Sequence, residues 1–227
     1  MNPQPSTVLA IVAHADDETI GLGGTLARHA AAGDAVFVLV MTDGEGARGQ
    51  ATEAAIDARR TQCREACDLL GVKEVFFESF PDNAMDSLPR LQLARSVEHC
   101  IAQIRPDTIY THHQGDVNID HVLTSEAVTI AARAQPSCSV RRILHFETVS
   151  STEWQLPQQK CPFHPNWFVD INEFWDIKKN SLSIYTSEMR NFPHSRSIQA
   201  LDALSTWRGA SAGIARAEAF MLVRAIL

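Results

Sequence analysis

The sequence predicts an α/β fold: a Rossmann-like, doubly wound, mostly parallel sheet with helices on both faces and a helical elaboration at the C-terminal end. Three observations lead there. Continuous apolar runs rich in β-branched residues, such as Thr7-Val-Leu-Ala-Ile-Val-Ala13 and Ala35-Val-Phe-Val-Leu-Val-Met41, lack the polar alternation of a half-exposed strand and read as strands buried on both faces. Segments of helical periodicity separate these runs. Gly33, Gly71 and Pro106 stand where those helices must stop.

Taken in order, strands are expected at residues 7–13, 35–41, 74–79, 107–111 and 142–149. Helices are expected between them at 24–32, 52–70, 91–104 and 121–134. Regular alternation of this kind, with right-handed crossovers, is the signature of a parallel sheet covered on both sides. The last third reads differently. Residues 150–170 are rich in Pro, Ser and aromatics, with an edge strand expected at 167–169 and helices at 172–189, 197–208 and 214–225. No linker and no internal repeat interrupts the chain, so residues 1–227 are expected to form a single domain.

A chain of 227 residues buries roughly 70% of its unfolded surface and needs no staples. Its net charge of −7 argues against a nucleic-acid partner, which needs a dense basic face. No apolar run approaches the roughly 18 residues of a membrane span, and the start has neither a basic nor an apolar leader region. Five cysteines without CxxC spacing point to a reduced, cytoplasmic protein. Cys63 and Cys67 lie one helical turn apart and read as small apolar packing residues.

The chemistry begins directly after the first strand, at Ala13-His14-Ala15-Asp16-Asp17-Glu18-Thr19. In open α/β sheets the ligand crevice lies outside the carboxyl ends of the strands, where the winding reverses. One imidazole and three mutually repelling carboxylates there are hard to explain as packing, and a cation would relieve the repulsion. A second cluster, Thr111-His112-His113-Gln114-Gly115-Asp116-Val117-Asn118-Ile119-Asp120-His121, follows the fourth strand. With strand order 3-2-1-4-5 the two clusters face each other. His14, Asp17 and His121 then supply two nitrogens and one oxygen, the donor set of a catalytic zinc with an open fourth position. Asp16 stands beside them as a general base, and Asp120 is placed to accept a hydrogen bond from a ligand imidazole. His112 reads equally well as a satisfied loop histidine.

These residues carry a resemblance. Ala-His-Ala-Asp-Asp-Glu resembles the AHPDDE signature of the PIG-L/LmbE family of zinc-dependent N-acetylglucosaminide deacetylases. Thr42-Asp-Gly-Glu-Gly46, His113-x-x-Asp116-x-Asn118-x-Asp120-His121, Ser150-Ser-Thr-Glu-Trp154 and Pro193-His-Ser-Arg-Ser197 fit the same pattern, over nearly the whole chain. The resemblance implies an LmbE-like fold, one Zn2+ on His14, Asp17 and His121, and Asp16 as the base that activates water against an acetamide; a site of two imidazoles and one carboxylate also accepts other divalent metals such as Fe(II), Co(II) and Mn(II). Two positions depart from the pattern. Ala15 replaces a proline, which removes no functional atom. Asn118 stands where some members carry a histidine that serves as acid, so His113 and His194 become the candidate proton donors.

Substrate contacts are expected from Arg48, Asn118, Trp154 and Arg196, with Asp82 at the rim. Gly21-Leu-Gly-Gly24 does not complete a GxGxxG fingerprint, and neither a GxxxxGK[ST] loop nor a GxSxG elbow is present. The expected partner is a small N-acetylated sugar, and the aromatic-rich C-terminal third offers a face for a homo-oligomer. The competing expectations are a metal-dependent hydratase of an unsaturated carboxylic acid on the same scaffold, and a non-catalytic sugar- or zinc-binding protein. The latter leaves Asp16 without a task.

Overall fold

A computed structural model describes residues 5–46, 49, 52–156 and 161–227. Seven strands form one sheet: β1 (Thr7–Val12), β2 (Ala35–Thr42), β3 (Glu74–Phe80), β4 (Thr108–His112), β5 (Arg142–Phe146), β6 (Trp167–Asp170) and β7 (Ala217–Ala225). Their order is β3-β2-β1-β4-β5-β7-β6, with β1 to β5 mutually parallel and β7 antiparallel to both neighbours. The winding reverses between β1 and β4, as the predicted order 3-2-1-4-5 requires.

The helices are α1 (Asp17–Ala31), α2 (Glu53–Leu69), α3 (Arg90–Ile104), α4 (Ile119–Ala131), α5 (Trp175–Leu182) and α6 (Ile198–Ser211). The two-residue period of β1 divides the core between the sheet's faces. Val8, Ala10 and Val12 pack with Leu22 and Leu26 of α1 and Cys63, Ala66 and Cys67 of α2. Leu9 and Ile11 pack with Leu93 and Val97 of α3 and Leu123 and Val128 of α4. Both cysteines thus serve as core residues. Among the described residues no helix is long and apolar enough to cross a membrane.

The C-terminal expectations need correction. Residues 214–225 do not form a helix; Ala217–Ala225 is β7, threaded between β5 and β6 with Phe220 opposite Phe146 and Leu222 opposite Leu144. Its alanines favour a helix locally, but two waiting sheet edges and an apolar face to cover outweigh that preference. The helix expected at 172–189 shrinks to a single 3-10 turn and α5. The chain leaves helical geometry after Leu182 and turns so that Tyr185 is fully buried. The edge strand expected at 167–169 is β6.

Helix α1 starts at Asp17, earlier than expected, and breaks at Leu22 (φ −148°, ψ 18°), so that the expected helix is its second half. The break frees backbone groups that must find partners in a dry interior. Lys178 Nζ donates to Ile20 O at 2.8 Å and to Glu218 Oε1 at 2.6 Å. The Glu218 carboxylate accepts from Gly24 N and Thr25 N at 2.9 and 2.7 Å. One buried ion pair therefore satisfies both sides of the break. The Gly21-Leu-Gly-Gly24 run serves packing: a Cβ on Gly21 would lie 2.4 Å from Phe146 Cδ2, and one on Gly24 2.8 Å from Ile171 Cβ. Gly21→Ala is expected to destabilise the protein in urea denaturation. Overpacking costs about 1–3 kcal/mol, more than the gain of up to about 1 kcal/mol in helix propensity.

Candidate active site

The cleft lies where β1 and β4 end and α1 and α4 begin. It is lined by His14, Asp16, Arg59, Asp82, Asn83, Asn118, Glu188 and Arg196, among others. The chain leaves β1 through Ala13-His14-Ala15-Asp16 and enters α1 at Asp17, whose Oδ2 accepts from His14 N at 2.9 Å. On the other side Asn118 caps α4, its Oδ1 accepting from Asp120 N at 2.8 Å, which places Asp120 and His121 in the first turn.

His14 Nδ1, Asp17 Oδ2 and His121 Nε2 form a triangle with edges of 3.2, 3.3 and 3.4 Å. Two ligands of a tetrahedral ion with bonds of about 2.0–2.1 Å lie about 3.3 Å apart, so the donor set fits zinc without rearrangement. Asp17 Oδ1 is buried with no hydrogen-bond partner, a further sign that this carboxylate serves something other than the protein.

The second ring nitrogen of each histidine is held by a carboxylate, and the partners are not those the sequence suggested. Asp120, adjacent to His121, serves His14: its Oδ2 lies 3.2 Å from His14 Nε2, and it also accepts from Asn83 N (2.6 Å) and Met85 N (3.1 Å). Asp82 Oδ1 is likewise 3.2 Å from His14 Nε2. His121 Nδ1 instead faces Asp116 Oδ1 at 3.3 Å. Asp116 is braced by the hydroxyls of Ser151 and, at 2.6 Å, Thr152. Sequence reasoning left Asp116 without a role, although it lies within the second motif. Both imidazoles thereby present their remaining nitrogen to the same point.

The charges follow from this packing. Burial opposes protonation of His14, yet the carboxylates of Asp120, Asp17 and Asp82 raise it well above the usual histidine range. Burial raises Asp17, but His121 and His112 outweigh it and hold the carboxyl well below its usual range. Burial pushes Asp16 up to about 6 against the pull of Arg196, with Asp17 and Glu188 adding to the rise. An acid with an elevated pKa beside a set of metal donors is the pattern of a group that exchanges protons.

Asp16 does not join the triangle. Its Oδ2 accepts from Arg196 Nη1 at 2.9 Å, and its Oδ1 is buried without a protein partner. Arg196 is in turn held by Ser150 Oγ at 2.6 Å and lies 3.4 Å from Glu188 Oε2. Glu188 also binds Arg59, whose Nε reaches Glu45 Oε1 at 3.1 Å. Arg59 is 5% exposed and keeps a buried Nη1 without a hydrogen-bond partner. Arg59 and Glu188 escaped the sequence reading. Arg59 sits beside Arg60 in α2 and looks like part of a solvated helix face, and nothing near Glu188 marks it.

The other expected residues divide. Asn118 and Arg196 line the cleft, but Arg196 is bound to Asp16 rather than turned to a substrate. Asp82 lines it too, held on His14. His112 Nε2 accepts from Ala13 N at 2.9 Å, so it serves the backbone, and burial with the stacked His121 brings its pKa down to about 4. His113, one of the expected acids, does not line the cleft: its Nε2 donates to the carbonyl of Cys161 at 2.8 Å and burial lowers its pKa. His194, the other, is exposed, and its Nδ1 accepts from Arg196 N at 3.0 Å. Trp154 is 57% exposed and does not line the cleft; in its motif Ser150 Oγ accepts from Arg196 while the Ser151 and Thr152 hydroxyls brace Asp116. Arg48 lies outside the described residues.

Comparison with known proteins shows the family. The family model PIG-L, described as GlcNAc-PI de-N-acetylase, matches residues 9–132. A 4-oxalmesaconate hydratase from Pseudomonas putida is 30% identical over 193 residues, covering 78% of this chain and 72% of the relative. A 1D-myo-inositol 2-acetamido-2-deoxy-alpha-D-glucopyranoside deacetylase from Actinosynnema mirum is 31% identical over 177 residues, 66% of this chain and 61% of the relative. The fold matches that of the N,N'-diacetylchitobiose deacetylase from Pyrococcus horikoshii with a TM-score of 0.75 at 22% identity, over 96% of this chain and 84% of that one. With the family's sequence pattern running through both halves of the cleft, the chain belongs to the PIG-L family.

Proposed function

We propose that the chain is one catalytic domain, a metal-dependent hydrolase that removes the N-acetyl group from a 2-acetamido sugar. The observation that carries this reading is the His14–Asp17–His121 triangle with Asp16 beside it, one carboxylate oxygen held by Arg196 and the other without a protein hydrogen-bond partner. His14, Asp17 and His121 would hold one zinc ion. Bound there, zinc polarises a carbonyl and lowers the pKa of a water to about 7.

The chain's own groups do the rest. Asp16 Oδ1 takes a proton from the attacking water as its oxygen bonds to the acetamide carbon. When the C–N bond breaks, Asp16 returns that proton to the departing nitrogen, leaving acetate and an amine. This double duty replaces the separate acid that His113 and His194 are too poorly placed to supply. Arg196 keeps Asp16 in line between the two steps. Asn118, Asn83 and the unpartnered Nη1 of Arg59 offer hydrogen bonds to ring hydroxyls.

The hydratase relative makes addition of water to an unsaturated carboxylic acid the second reading. A carboxylate substrate needs a guanidinium clamp. Among the described residues of the cleft, Arg196 is bound to Asp16 and Ser150 and Arg59 is bound to Glu45 and Glu188 through Nε and Nη2; the single unpartnered Nη1 of Arg59 offers no two-nitrogen fork, which favours a neutral polyol. The test is a panel of N-acetylglucosamine derivatives and of unsaturated di- and tricarboxylates including 4-oxalmesaconate, offered to metal-stripped and zinc-reloaded protein. Zinc-dependent acetate supports the deacetylase; loss of the conjugated absorbance without acetate supports the hydratase.

A further inference from the structure

Asp16 has φ 139° and ψ −27°, a backbone conformation that residues with a Cβ rarely adopt. Such strain persists only where the surroundings over-determine it. Here they do. Asp16 N donates to Glu18 Oε2 at 3.0 Å. Glu18 Oε1 accepts from Tyr185 Oη at 2.6 Å and Thr19 Oγ1 at 2.8 Å. The Asp16 carbonyl accepts from Thr19 N and Ile20 N at 3.1 and 2.9 Å. Glu18 and Tyr185 are both fully buried, and no described lysine or arginine pairs with Glu18. A carboxylate placed in the core without a cation is costly, and its partners show what it does: it joins the strained turn to a tyrosine from the far end of the chain.

We infer that Glu18 and Tyr185 are positioning residues that hold Asp16 in its strained turn, keeping its carboxylate on Arg196 instead of letting it swing onto the metal beside Asp17. The proposal rests on the hydrolase reading for its kinetic arm only. Released from Glu18, Asp16 can relax to negative φ, and its carboxylate then leaves the line of attack.

The test compares Glu18→Ala, Glu18→Gln and Tyr185→Phe with wild type, each measured for zinc content, kcat and KM. In Glu18→Gln the amide oxygen can still accept from Asp16 N while its NH2 group donates to the two hydroxyl oxygens. Misplacing a reacting group by about 1 Å costs about 100-fold, so Glu18→Ala is expected to lose about that much in kcat with KM and one zinc per chain retained. Glu18→Gln is expected to recover most of the loss. Tyr185→Phe, which keeps the packing, is expected to lower kcat by about tenfold, short of that full misplacement. Crystal structures of Glu18→Ala and Tyr185→Phe provide a readout independent of any substrate: Asp16 is expected at negative φ and off Arg196 in the former. If wild type releases no acetate, the hydrolase reading fails and the Asp16 conformation alone decides the proposal. Wild-type kcat in Tyr185→Phe, zinc lost together with activity, or Asp16 unchanged in Glu18→Ala would each overturn it. Should Glu18→Ala not fold, Tyr185→Phe decides.

Discussion

Asp16→Asn protein loaded with zinc is expected to release acetate about 10²- to 10⁴-fold more slowly than wild type, with one zinc per chain still bound. The asparagine is nearly isosteric and can still meet Arg196, so the cleft keeps its shape. It cannot take a proton from water. Because Asp16 stands outside the donor triangle, its neutralisation leaves His14, Asp17 and His121 intact. The pH profile supplies the sign. The base works ionised, so activity rises with pH through the ionisation of Asp16, which burial places at about 6 before any cation binds. A bound cation stabilises the carboxylate and moves that limb lower. The limb is expected in wild type at or below about 6 and absent in the residual activity of Asp16→Asn, as measured by kcat/KM across pH.

Lys178→Met is expected to destabilise the fold by about 3–5 kcal/mol, read as the loss in urea denaturation. At about 2–4 °C per kcal/mol for a chain of this size, Tm falls by about 6–20 °C. Methionine fills the aliphatic space of the lysine but leaves Glu218 as a buried carboxylate without its cation, and leaves Ile20 O without a donor. The effect differs from that of an ordinary buried pair, because Glu218 also caps the second half of α1 at Gly24 and Thr25. The double variant Lys178→Met/Glu218→Gln is expected to recover part of the loss, since no charge stays buried and the amide oxygen still accepts an N–H. A loss below about 1 kcal/mol in Lys178→Met would mean that the pair contributes little to the broken helix.

The parallel half of the fold was legible in the sequence because buried parallel strands are continuous apolar runs, and a run such as residues 35–41 has no other comfortable environment. The antiparallel edge was not. Ala217-Glu-Ala-Phe-Met-Leu-Val-Arg-Ala225 has the alanines of a helix, and its strand conformation is decided by β5 and β6, which lie far away in the sequence. The candidate site divides in the same way. His14, Asp16, Asp17 and His121 stand on two short motifs, so the winding of the sheet was enough to bring them together. The supporting groups were not readable, because proximity along the chain misleads. Asp120 neighbours His121 but binds His14, and Arg59, Glu188 and Tyr185 come from helix and loop positions that no local pattern marks. Trp154 was expected at the substrate because an aromatic in a polar motif suggests a contact; the hydroxyls of Ser150, Ser151 and Thr152 instead brace Arg196 and Asp116.

The triangle of His14, Asp17 and His121 is expected to hold the metal on which activity depends, with Asp16 outside it. The most direct measurement titrates zinc into metal-stripped wild-type, Asp17→Ala and Asp16→Asn proteins and follows bound metal and acetate release in the same samples. Wild type is expected to take up one zinc per chain with acetate release rising in proportion. Asp17→Ala is expected to take up no metal and gain no activity, and Asp16→Asn to bind one zinc while releasing acetate about 10²- to 10⁴-fold more slowly than wild type. Stoichiometric zinc in Asp17→Ala, or acetate release from wild type that does not follow the metal, would rule out this metal site.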